Sequence, residues 1–132
     1  MRRALWPDCP AGEHQQEMTA TVAAPDRFGA WLARDPAHRA CGLAEACVRS
    51  DYVNGTDSTP VAFLEGLYVT PAARRRGIAR ELVAAVAAWG RARGCRELAS
   101  DTPLANEASQ AMHRALGFEE TERVVYFRKT LT

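Results

Sequence analysis

Histidine and cysteine are scarce, three and four among 132 residues. Cys9, Cys41, Cys47 and Cys95 form no Cys-x-x-Cys pair and have no histidine at metal-ligand spacing, which argues against a metal-binding module. A disulfide framework is not expected of a chain this size with 47% hydrophobic residues, so four buried free thiols and no metal are expected. Net charge is nearly absent: 17 basic and 16 acidic side chains leave +1, so no global field selects nucleic acid or a membrane surface as partner. No apolar stretch reaches the length of a membrane span, and the N-terminus lacks the apolar core of a signal peptide, so a cytoplasmic protein is expected. Internal repeats, low-complexity tracts and composition shifts are missing too. The expectation is one domain over residues 1–132.

What is present concentrates between Val61 and Gly94. Val61 to Val69 is an apolar run rich in β-branched and aromatic residues, short enough to read as a strand, and Thr70-Pro71 ends it. Arg74-Arg75-Arg76-Gly77-Ile78-Ala79 then opens a helix with Ile78, Leu82, Val83, Val86 and Trp89 at helical spacing. A strand, an Arg/Gly-rich turn and a helix start together suit an anion such as a phosphate. Helix-start amides point outward, the dipole adds partial positive charge, and Gly77 allows close backbone approach. The dipole supplies only roughly 0.3–2 kcal/mol, so amides and cationic side chains must act together. The plain alternative is a solvated arginine cluster at a helix start.

The remaining chain reads as a short helix stopped by Pro7, then a helix over 13–24 carrying Met18 and Val22 on one face. Strands are expected over 28–33 and 39–49, with Gly42 marking a bulge or a close approach. Asp51 to Pro60 is a turn-rich loop. A strand over 96–100, a helix over 107–116 capped by Asn106, a return of Phe118 to the core and a final strand over 121–131 complete the order. A meander followed by strand–helix–strand implies a mixed α/β sheet flanked by helices.

Arg74-x-x-Gly77-x-Ala79 after a strand resembles the pyrophosphate loop of the GNAT N-acetyltransferases. The chain from Asp51 to Lys129 also resembles bacterial aminoglycoside 6′-N-acetyltransferases, a GNAT subgroup. It does so through Asp51-Tyr52-Val53-Asn54-Gly55, Phe63-Leu64-Glu65-Gly66, Ala99-Ser100-Asp101-Thr102 and Leu116 to Arg123, with Trp6-Pro7 at the matching place. The resemblance implies the acyl-CoA N-acyltransferase fold, with a mostly antiparallel mixed sheet, and acetyl transfer from acetyl-CoA to the 6′-amine of an aminoglycoside. It further implies that Leu67, Tyr68 and Val69 hold the pantetheine and thioester through backbone groups. Arg75, Arg76, Gly77, Ile78, Ala79 and Arg80 would hold the pyrophosphate, and Asn106 would contact the coenzyme. Trp6, Tyr52, Glu65, Asp101 and Glu122 would line the aminoglycoside site, and a homodimer is implied. GNAT proteins begin with a strand and a full first helix. This chain starts inside that helix, so the first strand is expected to be lacking, through truncation or a misplaced start.

The chemistry asks for such carboxylates independently. An aliphatic amine is largely protonated near neutrality, and only its neutral form attacks a thioester. An acidic pocket draws in a polycation, and one carboxylate can take the ammonium proton directly or through water. Glu65 and Asp101 fall side by side if their strands are parallel neighbours, with Asp101 or a water beside Glu65 as proton acceptor. Plain readings stand next to these: Glu65 paired to an arginine, Asp101 capping near Pro103, Glu122 facing solvent, Trp6 as core and Tyr52 as loop packing. His113 occupies the position where many GNAT enzymes carry a tyrosine that protonates the thiolate; Tyr126 is a weaker candidate. Acceptors other than aminoglycosides, such as a polyamine or a peptide amine, and an acetyl-CoA-binding module with little turnover, remain open.

Overall fold

The computed structural model describes residues 1–132. Chain contacts divide it into two units, Met1–Asp101 and Thr102–Thr132.

In the first unit, the strand signals condense into one four-stranded sheet in the order β1-β2-β3-β4. Its strands are β1 (Phe28–Arg34), β2 (Ala40–Arg49), β3 (Val61–Val69) and β4 (Leu98–Ser100). β1 and β3 flank β2 antiparallel, and β4 runs parallel to β3. The mixed sheet expected from element order is therefore present. β2 carries a continuous buried stretch, Cys41 to Cys47, because strands lie on both its edges and a helix packs against it.

Short helix α1 (Arg2–Leu5) and α2 (Ala11–Ala23) precede the sheet. α2 starts two residues earlier than its apolar pattern suggests, and the face carrying Met18 and Val22 points to solvent, with only His14 buried. α3 (Ile78–Ala92) buries Leu82, Val86 and Gly90, one stripe at i, i+4 spacing. Gly42 is a point of close approach: a Cβ there would lie 3.0–3.2 Å from Ile78, Leu82 and Ala33. Trp31 of β1 meets Trp89 of α3 edge-on at 5.4 Å, locking the helix across the sheet. Cys41, Cys47 and Cys95 are buried as expected; Cys9 is only half-buried, since it lies in the turn between α1 and α2.

The second unit holds α4 (Glu107–Ala115), capped by Asn106, whose Oδ1 accepts from the Ser109 amide at 3.1 Å. α3 and α4 end alike, with a left-handed glycine (Gly94, Gly117) and two back-turned bonds each. Gly94 and Cys95 donate to Arg91 and Gly90, and Gly117 and Phe118 donate to Arg114 and His113. Phe118 is half-buried and meets the His113 ring edge-on at 5.2 Å, rather than returning to a core. The final strand expected over 121–131 is not formed. Residues 118–132 contain no helix or strand, and Val125, Tyr126, Phe127 and Leu131 are 73–92% exposed. An apolar β-branched run becomes a strand only where its amides and carbonyls find a partner ladder, and here the run has none.

Candidate active site

β3 changes character midway. Ala62, Phe63 and Leu64 pair with Leu98, Ala99 and Ser100, and there β4 stops. On the β2 side, Glu45 faces Gly66 while Ala46 faces Leu64, so Glu65 is the extra residue of a bulge. Beyond it Leu67, Tyr68 and Val69 pair with Ala44, Leu43 and Gly42 alone, leaving their other edge without a strand. Backbone groups along such an edge can pair with an extended amide ligand as a further strand would.

The chain then leaves through a single 3₁₀ turn, Pro71–Ala73. The arginines do not open the helix as the sequence pattern suggests: α3 begins at Ile78. Arg75 (φ 65°) and Gly77 (φ 77°) both lie in the left-handed region, which cannot continue into a right-handed helix. Gly77 is the N-cap, and its carbonyl accepts the Glu81 amide at 3.0 Å as the first helical bond, so the amides of Ile78 and Ala79 head the helix. A Cβ on Gly77 would meet nothing within 4 Å, so the space before these amides is open. Arg75 and Arg76 are exposed beside it, whereas Arg74 turns back, donating to the Val69 carbonyl at 3.0 Å and covering the Tyr68 ring. Open amides, a helix start and flanking guanidinium groups fit a pyrophosphate.

Glu65 and Asp101 each follow the last registered β3–β4 pair, Leu64 with Ser100, so parallel pairing makes them neighbours at the point where β4 ends midway along β3. The Ser100 hydroxyl donates to the Leu64 carbonyl at 3.3 Å and fixes this edge. The plain reading of Glu65 is also realised: its Oε1 accepts from Arg49 at 2.8 Å, and from the Cys47 thiol at 3.0 Å. Burial, then that bond, pushes the Cys47 thiol up to about 11.

Trp6 lies against the next residue. A Cβ on Gly66 would fall 2.6 Å from Cη2 of the indole, so glycine is the residue that lets Trp6 rest on β3. Arg2 stacks over the same indole at 4.7 Å, and its guanidinium binds both oxygens of Glu45 at 2.6 Å, Glu17 and His14. Burial raises the Glu45 carboxyl while Arg2 pulls it back down. Cys9, His14 and Glu17 come within 4.8 Å of one another, yet the Arg2 cation already binds His14 and Glu17 there. Tyr52, on the 51–60 loop, is 69% exposed.

In the second unit Asn106 spends its side-chain oxygen on the α4 cap, and Glu122 is exposed on the irregular tail. His113 Nδ1 lies 2.7 Å from the Ser109 carbonyl, which can only accept, so Nδ1 carries a proton. Tyr126 is exposed.

Sequence reasoning passed over Arg49, Arg2 and Glu45. One signal was available: Glu45 is the single charged residue in the buried stretch Cys41–Cys47, and a buried carboxylate needs a cation.

The whole arrangement has counterparts. Residues 1–118 match the acetyltransferase (GNAT) family. The chain is 50% identical over 131 residues to an aminoglycoside N(6′)-acetyltransferase type 1 of Serratia marcescens, covering 99% of this chain and 89% of that one. It is 52% identical over 132 residues to the enzyme of the same name from Stenotrophomonas maltophilia, covering 99% and 84%. Among solved structures, AAC(6′)-Iy in complex with the bisubstrate analogue CoA-S-monomethyl-acetylneamine superposes with a TM-score of 0.93. That pair shares 48% identity, covering 99% of this chain and 88% of that one. With a strand bulged at Glu65, a glycine-capped turn before the next helix and this degree of likeness, the chain belongs to the GNAT acetyltransferase family.

Proposed function

We propose that this protein transfers the acetyl group of acetyl-CoA to the 6′-amine of aminoglycoside antibiotics, inactivating them. The observation that carries this reading is the parallel pairing of β3 with β4. It brings residues Glu65 and Asp101, which follow the last registered pair, next to each other in the chain fold, beside the open edge of Leu67–Val69 and in the same unit as the Gly77 turn. The relatives named aminoglycoside N(6′)-acetyltransferase support the choice of acceptor.

The co-substrate supplies an activated thioester. Leu67, Tyr68 and Val69 hold its pantetheine through backbone groups. Arg75, Arg76, Gly77, Ile78, Ala79 and Arg80 hold its pyrophosphate, and Asn106 adds a contact through atoms other than its capping oxygen. Trp6, Tyr52 and Glu122 line the acceptor side. Glu65 and Asp101 orient the 6′-ammonium, and Asp101, or a water held by Glu65, takes its proton. The neutral nitrogen then attacks the acetyl carbon, the C–S bond breaks, and the departing sulfur takes a proton, for which His113 is the group in the tyrosine position. An acidic lining suits an acceptor carrying several ammonium groups, because opposite charges raise its local concentration.

Residues 1–132 act as one domain in this reading, supported by a family match that runs across the junction at Asp101–Thr102. The exposed apolar tail around Val125–Leu131 supports a homodimer in which a second copy supplies the missing ladder. A Val125→Glu, Phe127→Glu variant should then sediment as a monomer while the parent sediments as a dimer. No helix is long and apolar enough to cross a membrane. Work in the cytoplasm follows in this reading from the use of acetyl-CoA.

The test is coenzyme A release with kanamycin and tobramycin, against drugs lacking a 6′-amine, spermidine and a peptide pool. Release with 6′-amino drugs alone is expected. Release with spermidine or peptides instead would move the protein to another acceptor class.

A further inference from the structure

The pair formed by Arg49 and Glu65 is poorly explained as a stabilising contact. Both side chains are about two-fifths exposed, 41% and 39%, and ion pairs at that exposure contribute little to stability. Its geometry is nevertheless tightly specified. Glu65 is the unpaired residue of the β3 bulge, and Arg49 and Cys47 stand two apart on β2, on one face of the sheet. The Arg49 guanidinium rests over the Phe63 ring, 3.5 Å from its centroid, and Phe63 is buried. The cation is thus held from below by an aromatic face. From there it donates to Glu65 Oε1 at 2.8 Å, and the Cys47 thiol donates to the same oxygen at 3.0 Å. Two donors on one oxygen fix the carboxylate plane and leave Oε2 out of both bonds.

We infer that Arg49 is a positioning residue for the acceptor amine: it pins Glu65 through Oε1 so that Oε2 faces the substrate ammonium. This rests on the reading of Glu65 as an acceptor-side carboxylate. A carboxylate that must be aimed loses much of its use when it rotates, since a displacement near 1 Å at a reacting group can cost about a hundredfold in rate. The guanidinium also cancels part of the Glu65 charge, so the ammonium is oriented without being trapped.

The experiment is steady-state kinetics with kanamycin and acetyl-CoA for Arg49→Gln, Arg49→Lys, Glu65→Gln and the double variant Arg49→Gln, Glu65→Gln, with thermal midpoints alongside. Arg49→Gln should lower kcat/KM for kanamycin by about tenfold to a hundredfold while the KM for acetyl-CoA and the midpoint hold. Arg49→Lys, which keeps the charge and one donor, should recover most of the loss. In the Glu65→Gln background, Arg49→Gln should cost nothing further, because a residue acting through Glu65 has nothing left to position. Parent-like kinetics of Arg49→Gln beside an impaired Glu65→Gln would overturn the inference alone. So would an undiminished loss in the double variant, or equal losses in the Gln and Lys variants accompanied by a fallen midpoint. A parent-like Glu65→Gln would overturn the reading of Glu65 itself.

Discussion

The two halves of β3 are one strand by sequence pattern and two different things physically. Val61 to Leu64 is buried, laddered to β2 on one side and, from Ala62 on, to β4 on the other. Glu65 to Val69 is bulged at its first residue, laddered to β2 alone, and partly exposed apart from Gly66. The first half is buried and paired along both edges, and therefore contributes stability. The second half keeps one edge open, and under the proposed function that edge serves recognition. A change in one half should be nearly silent in the property that belongs to the other.

The largest separation is expected from Leu64→Ala against Glu65→Gln. Leu64 is 3% exposed, and removing its side chain should lower the unfolding free energy by about 2–5 kcal/mol, read as a shifted denaturant midpoint. Acetyl transfer per folded molecule should stay near the parent value. Glu65→Gln reverses the pattern: stability within about 0.5 kcal/mol of the parent, as for most exposed substitutions, but kcat reduced about a hundredfold or more, as for loss of a proton-handling group. A Leu64→Ala protein as stable as the parent, or a Glu65→Gln protein as active, would erase the distinction between the halves.

Much of this strand was legible beforehand. Its bounds coincide with the apolar run because Pro60 and Thr70-Pro71 bracket it, and proline is poor in a ladder. Asn106 was readable as a cap, and the glycines after α3 and α4 as helix ends, because these are local devices. The neighbourhood of Glu65 with Asp101 was readable once strand order was inferred. The Glu65 bulge was not, since it is a mismatch of register between β2 and β3 that neither segment encodes alone. Arg49 was hidden for the same reason: the turn-rich loop over 51–60 separates it from Glu65 in sequence, and only the β2–β3 pairing brings the two together. The tail over 121–131 shows the opposite failure. Its residues favour a strand, but preference without a partner edge leaves them exposed.

A smaller effect is expected at Gly66, inside the second half. Gly66→Ala places a methyl 2.6 Å from the Trp6 indole, over which Arg2 also stacks, so the ring must shift. The KM for the aminoglycoside should rise about tenfold, the KM for acetyl-CoA should hold, and indole fluorescence should change, as expected of a displaced substrate-positioning group. An unchanged aminoglycoside KM would remove Trp6 from the acceptor side.

The smallest effect probes the seam between the halves. Cys47 lies opposite Phe63, in the buried half, yet its thiol bonds Glu65 in the exposed one. Its ionisation is pushed from 9.0 to about 11 by burial first and by the Glu65 bond second. At pH 9, where half of an ordinary thiol would be ionised, only about one hundredth of Cys47 should be thiolate, so iodoacetamide should label it correspondingly slowly. The linkage sign follows: a folded-state value above the unfolded one means the neutral thiol supports the fold below pH 9, and that support is lost as pH rises through about 11. Glu65→Gln removes the charged acceptor but not the burial, so labelling should accelerate modestly and remain well below that of the unfolded chain. Labelling of the parent at the unfolded rate at pH 9 would mean that the Cys47–Glu65 contact does not bind the two halves of β3 together in solution.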